Sequence, residues 1–61
     1  MKLYRVKYWT WQEKYEHETY CNKVERNSCT LSYHCFITFN GKDYLTLMFD
    51  DNKLISIEEV K

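Results

Sequence analysis

The chain has no alanine, no proline and a single glycine among its 61 residues. These residues have GC-rich codons, whereas Lys, Asn, Tyr, Ile and Phe, whose codons are rich in A and T, are frequent. The composition therefore indicates a low-GC genome, and we expect the source to be a phage or a mobile genetic element. Internal repeats and low-complexity stretches are also lacking, so residues 1–61 are expected to form one small β-rich domain.

Neither sign of charge is in excess, because nine Lys and Arg balance nine Asp and Glu. Long-range attraction to a polyanion would therefore depend on local patches. The N-terminal segment has no apolar run of the length that a signal peptide or a membrane span requires. We expect a soluble, cytoplasmic protein with no membrane contact.

Three cysteines, Cys21, Cys29 and Cys35, form an odd set rather than the even framework of small secreted domains, which favours a reducing compartment. Together with His34 and His17 they have the chemistry of a zinc site. Their spacing lacks the close ligand pairs of zinc modules, and His34 and Cys35, adjacent on a strand, should point to opposite faces. We therefore expect no metal and no cofactor, with Cys35 in the core and the other two as free thiols.

Catalytic signatures are lacking as well. A nucleophilic cysteine needs a base within hydrogen-bond reach and a group that stabilises developing charge, and no recognisable set supplies both. His17 between Glu16 and Glu18 is typical of solvated charge alternation. The protein is therefore predicted not to be an enzyme.

Period-two alternation of apolar residues runs from Thr30 to Phe49 and predicts two strands. Asn40-Gly41 lies between them, and this dipeptide is the strongest short hairpin signal that a sequence offers. A β-hairpin is the clearest local prediction.

The hairpin loop is predicted from the burial pattern. The alternate positions that carry the apolar residues expected to face the core are Leu31, Tyr33 and Cys35 in the first strand and Leu45, Leu47 and Phe49 in the second. A three-residue loop, Phe39-Asn40-Gly41, sets Cys35 opposite Leu45 and brings both sets to one face, whereas a two-residue turn mixes the faces. We predict the three-residue loop, which also pairs Phe36 with Tyr44 on the outer face.

The remaining segments complete a β-rich chain. Leu3 to Trp11 is rich in strand formers, and Leu54 to Ile57 follows a cluster of turn residues. Gln12 to Arg26 favours a partly irregular strand, with a helix as the open alternative. The predicted fold class is all-β, or α+β if residues 12–26 are helical: a small curled antiparallel meander or SH3-like partial barrel of four to five strands.

Aromatic residues are abundant, with three Phe, two Trp and six Tyr. A domain of this length buries only about 60% of its unfolded surface, so several rings must stay near solvent. Tyr33 and Phe49 are expected in the core, with Tyr4 and Tyr8 as companions. The candidate partner-binding residues are Arg5, Lys7, Trp9, Trp11, Tyr15, Tyr20, Phe36 and Tyr44.

Tyr, Trp and Arg are enriched at the centres of protein interfaces. We therefore expect a non-enzymatic interaction module that binds and inhibits a larger host protein, such as a defence effector. Self-association as a homodimer through a strand edge is a second use of the same chemistry. The alternative function is binding of single-stranded nucleic acid, because Arg5 and Lys7 precede Trp9 and Trp11 on one face of the first strand.

Overall fold

The computed structural model describes residues 1–10 and 15–61. Most of them form strands, with one short 3-10 turn. In chain order the elements are β1 (Leu3–Trp9), β2 (Glu16–Cys21), β3 (Lys23–Asn27), β4 (Ser32–Phe39), β5 (Lys42–Asp50), the 3-10 turn (Asp51–Lys53) and β6 (Leu54–Val60).

The strands form two three-stranded sheets, with the order β2-β1-β6 in the first sheet and β3-β4-β5 in the second. Every neighbouring pair is antiparallel. The predicted small antiparallel all-β fold is confirmed. Residues 16–27, except for the bend at Asn22, are strand, so the helical alternative is wrong there; residues 12–14 lie outside the described part of the chain.

A bend at Asn22 carries the chain from the first sheet into the second. The backbone N–H of Asn22 donates to the carbonyl oxygen of Phe36 at 2.8 Å. Its side-chain Nδ2 donates to the carbonyl oxygen of Lys2 at 2.9 Å, and its Oδ1 accepts from the N–H of Thr38 at 3.0 Å. One amide side chain thus satisfies a backbone group just before β1 and another in β4, where the regular ladder is interrupted.

The 3-10 turn returns the chain from the second sheet to the first. The N–H of Asp51 donates to the carbonyl oxygen of Leu31 at 2.9 Å. The guanidinium of Arg26 donates to the Asp51 carboxylate at 2.8 Å. These contacts hold the start of β6 beside the base of the β3–β4 connection.

The core lies between the two sheets and is very small. Val6, Cys21 and Cys35 are fully buried. The partly buried residues packed around them are Tyr4, Val24, Ile37, Leu47, Phe49 and Leu54. Because β2 and β3 are halves of one bent strand, Cys21 and Val24 reach the same core from different sheets.

The β4–β5 connection is a two-residue turn, so the predicted three-residue loop is wrong. Phe39 pairs with Lys42, and Asn40 and Gly41 have φ angles of 52° and 75°. Asn and Gly tolerate positive φ better than other residues, so this pair adopts the tight turn whose twist matches the strands.

The extra residue that brings Cys35 and Leu47 to one face lies inside β5 rather than in the loop. Cys35 pairs with Leu47, but its neighbour Phe36 pairs with Leu45, so Thr46 is the extra residue of a β-bulge. The hydroxyl of Thr46 donates to the carbonyl oxygen of Cys35 at 3.2 Å.

The bulge changes which residues of β5 face the core, so the predicted apolar face holds on only one side of it. Tyr33 pairs with Phe49 on the core side, as the alternation predicts. Beyond the bulge Leu45 turns to the outer face opposite Phe36 and is 50% exposed, so its predicted core position is wrong. Leu31 is also exposed, because it occupies a turn with φ of 53°.

Replacing the bend residue tests its structural role. Asn22→Ala removes two side-chain hydrogen bonds and should lower the free energy of unfolding by about 2 kcal/mol. The measurement is the denaturant midpoint in urea. The matched control, Asn52→Ala at an exposed position of the 3-10 turn, should change stability by less than about 0.5 kcal/mol. Equal effects of the two variants would contradict the role assigned to Asn22.

Thiol reactivity tests the core. Cys29 is exposed, whereas Cys21 and Cys35 are buried, and burial together with the neighbouring Cys21 raises the pKa of the Cys35 thiol. A maleimide reagent at neutral pH should modify one of the three thiols quickly and the other two only after unfolding in urea. Comparable rates at all three sites in the folded protein would show that the assigned core is wrong.

Candidate protein-binding site

A cleft of about 430 Å³ opens where the ends of β1 and β5 approach each other. This volume lies within the range of small-molecule pockets, roughly 300–1,000 Å³. Its lining, hereafter the aromatic cleft, comprises Tyr8, Trp9, Thr10, His17, Met48, Phe49, Asp50 and Lys53.

Stacked rings form the wall of the aromatic cleft. Tyr8 of the first sheet stacks on Phe49 of the second, with ring centroids 5.0 Å apart and planes at 16°. Phe49 also stacks on Tyr33 at 5.7 Å, and His17 lies 5.9 Å from Tyr8. Each aromatic pair stabilises the fold by about 0.5–1.5 kcal/mol beyond its buried area, so the rings hold one another in place.

Strand parity and strand ends position the cleft residues. Tyr8 follows the buried Val6 by two residues and therefore faces the core side of the first sheet. Trp9 is the last residue of β1 and pairs with Glu16. The N–H of Thr10 donates to the carbonyl oxygen of Tyr15 at 3.0 Å, which brings the start of β2 back beside the end of β1.

Three of the predicted residues lie together on the outer face of the first sheet. Arg5 and Tyr20 pair across β1 and β2, and Lys7 lies two residues further along β1. Trp9 follows on the same parity but also lines the aromatic cleft. Trp11 lies outside the described residues.

The positive charges on this outer face are compensated. Arg5 donates to the Glu58 carboxylate at 2.6 Å. This hydrogen bond raises the pKa of Arg5, with a further contribution from Tyr20, and lowers the pKa of Glu58. Lys7 pairs in register with Glu18 and also lies near enough to Glu58 to lower its pKa. The carboxylates therefore reduce the attraction of this face for phosphate groups.

The predicted residues of the second sheet do not share one face. Phe36 pairs with Leu45, while Tyr44 pairs with Ile37, so the predicted Phe36–Tyr44 pair is wrong. The Thr46 bulge is the reason. The Lys23 ammonium lies 5.6 Å from the centroid of the Phe36 ring.

Tyr44 and Tyr15 remain largely exposed, at 51% and 69%. Tyr15 precedes β2, next to the first sheet, whereas Tyr44 lies in β5 of the second. The candidate residues are therefore distributed over several surfaces, and Trp9 is the described one that belongs to the aromatic cleft.

Several cleft residues were not predicted as binding residues. The alternation correctly places Tyr8 and Phe49 on the core side of their strands, but it does not reveal that the two strand ends meet and leave space between them. Met48 and Asp50 enter the lining for the same reason. The one sequence signal that could have identified Tyr8 and Phe49 is that each occupies a core-facing alternate position close to the end of its strand.

The polar groups near β2 show no arrangement typical of a metal site. Lys7, Glu16, His17 and Glu18 line a second depression of about 280 Å³. Among residues 1–10 and 15–61, no group of three or more His, Cys, Asp or Glu side chains could hold a metal ion. The same residues contain no helix long and apolar enough to cross a membrane.

Comparison with known proteins identifies no relative: no family model, no curated protein and no solved structure matches the chain. The functional inference therefore rests on the chemistry and geometry of these surfaces.

Proposed function

We propose that this protein is a non-enzymatic interaction module that binds a segment of another protein in the aromatic cleft. The observation that carries the proposal is the Tyr8–Phe49 stack, which joins the two sheets and leaves an open cleft of about 430 Å³ beside it. Preorganised aromatic walls lower the entropic cost of binding, because few side chains must be immobilised.

The lining matches an apolar anchor side chain surrounded by polar contacts. Tyr8, Phe49 and Met48 supply apolar surface, and Trp9 lies partly exposed at the strand end. Asp50 and His17 add polar atoms that can fix the orientation of the partner's backbone. This arrangement is typical of interface hot spots, in which a buried anchor is surrounded by groups that exclude water.

The narrower form of the proposal concerns the partner and the setting. The composition supports an origin in a phage or mobile element, and the small size of the chain is consistent with an accessory protein. The proposed partner is a larger host protein in the cytoplasm, such as a defence effector, which this module would inhibit by occupying one of its surfaces.

Single-stranded nucleic acid is the second candidate ligand. The row of Arg5, Lys7 and Trp9 on one strand favours it. The ion pair between Arg5 and Glu58, together with the register partner Glu18 beside Lys7, counts against it.

Partner capture tests the proposed cleft. Immobilised protein should retain a specific protein from a lysate of candidate host cells. Trp9→Ala should weaken that binding by about 2 kcal/mol or more, which is about 30-fold. The matched control is Tyr15→Ala, which removes an exposed ring outside the cleft and should leave binding unchanged. Circular dichroism checks that both variants are folded.

Two outcomes would contradict the proposed cleft. One is equal retention of the same protein by the wild type and Trp9→Ala. The other is loss of binding in Tyr15→Ala while Trp9→Ala binds normally, which would move the interface to the surface around β2.

Tryptophan fluorescence separates the two candidate ligands. If the cleft binds protein only, titration with a single-stranded oligonucleotide at low salt should leave the emission unchanged. Quenching that weakens steeply with added salt, and that is reduced in Lys7→Gln, would instead support the nucleic-acid candidate.

A further inference from the structure

The core contains two thiols that lie side by side. Of residues 1–10 and 15–61, three side chains are fully buried, and two of them are those of Cys21 and Cys35. They belong to one cluster with Val6, and the two thiols share a hydrogen bond. A free cysteine in a core usually packs as a small apolar group. Two buried thiols in contact can in addition form a covalent bond with each other.

The strand register explains why these thiols meet. Cys35 pairs with Val24 of β3, just beyond the bend. At the bend, the N–H of Asn22 donates to the carbonyl oxygen of Phe36 at 2.8 Å. This hydrogen bond holds Cys21, the last residue of β2, against the segment of β4 that follows Cys35. A disulfide requires neighbouring backbone positions and side chains directed toward each other, and both conditions are met here.

The two cysteines come from different sheets. Cys21 ends β2, an edge strand of the first sheet, whereas Cys35 lies in β4, the central strand of the second. A bond between them would join the sheets covalently beside the bend. At the same place the side chain of Asn22 connects Lys2 and β4 through hydrogen bonds.

We infer that Cys21 and Cys35 form a redox-active pair, which a low-molecular-weight disulfide such as oxidised glutathione converts into a disulfide bond between the two sheets. In the first step the thiolate of Cys21 attacks one sulfur of the oxidant, and one molecule of the small thiol leaves. In the second step the thiolate of Cys35 attacks the mixed disulfide, and the second small thiol leaves. The protein loses two electrons and two protons, and the oxidant is reduced to two thiols.

The order of these steps follows from the positions of the two thiols. Burial, together with the neighbouring Cys21, raises the pKa of the Cys35 thiol to about 12. Cys35 is therefore protonated at neutral pH and is a poor first nucleophile. Cys21 lies at the end of an edge strand, which can open without disrupting the second sheet. Opening also hydrates Cys35, which relieves the burial that keeps it protonated and allows it to attack second.

The disulfide makes the stability of the domain depend on its redox state. It closes a loop of 15 residues, from Cys21 to Cys35, and this loop restricts the unfolded chain. A domain of this size gains little stability from its core, so one covalent link has a large relative effect. Reducing conditions keep the dithiol form, and oxidising conditions convert the domain into a more stable form.

Thiol–disulfide exchange with glutathione measures the pair. Cys29→Ser removes the exposed third thiol, so that Cys21 and Cys35 alone can react. This variant is equilibrated with mixtures of reduced and oxidised glutathione, in native buffer and in urea. The products are trapped by alkylation and identified by mass spectrometry. Because the fold holds the two thiols together, the equilibrium constant for the intramolecular disulfide should be about tenfold or more larger in the folded protein.

Stability provides the second readout. The oxidised Cys29→Ser protein should unfold at a urea concentration about 1 M or more above that of its reduced form. The matched control combines Cys29→Ser with Cys35→Ala, which leaves a single thiol at Cys21 and should show no such rise. If circular dichroism shows that the control does not fold, the exchange constants of Cys29→Ser alone decide the question.

The inference fails if the folded protein forms only mixed disulfides with glutathione, or if its exchange constant equals that in urea. An oxidised form that unfolds at a lower urea concentration than the reduced form would contradict it as well. Neither Cys21 nor Cys35 lines the aromatic cleft, so each of these results leaves the proposed function to its own test.

Discussion

The hydrogen bonds of Asn22 are the constraint on which the rest of the structure depends. They allow one strand to bend and to serve both sheets, so that residues before and after the bend face the same interior. With the sheets fixed in this way, the end of β1 meets the end of β5. The contact between Tyr8 and Phe49, and therefore the aromatic cleft, follows from that geometry.

The small core explains why the proposed binding surface and the stabilising surface overlap. Of residues 1–10 and 15–61, Val6, Cys21 and Cys35 are the fully buried ones, and much of the apolar packing comes from side chains that are only partly covered. Phe49 packs on the core and also lines the cleft. In a larger domain these roles can be separated, but a chain of 61 residues has little interior to spare.

Local patterns were sufficient to predict much of the fold. Period-two alternation identified β4 and β5, and Asn40-Gly41 identified the position of their turn. The pairing register of β4 and β5 was not predictable in the same way. Burial of both apolar sets requires one extra residue between the paired positions, but it does not specify whether that residue lies in the loop or in a strand. An extra loop residue and a strand bulge both bring Leu47 and Phe49 to the core face, and in this chain the bulge at Thr46 does so while the Asn40-Gly41 turn stays two residues long. The cleft depends on contacts between distant strand ends, for which the chain carries no local signal.

The bulge at Thr46 also separates the hairpin into two parts with different evolutionary freedom. On the core side of the bulge, Cys35 and Leu47 are constrained by packing. On the far side, Tyr44 and Leu45 are half exposed on opposite faces of the strand. These two positions can therefore change with less effect on the interior than Cys35 and Leu47, so sequence variation is better tolerated at the exposed side chains of the tip than at the base of the hairpin.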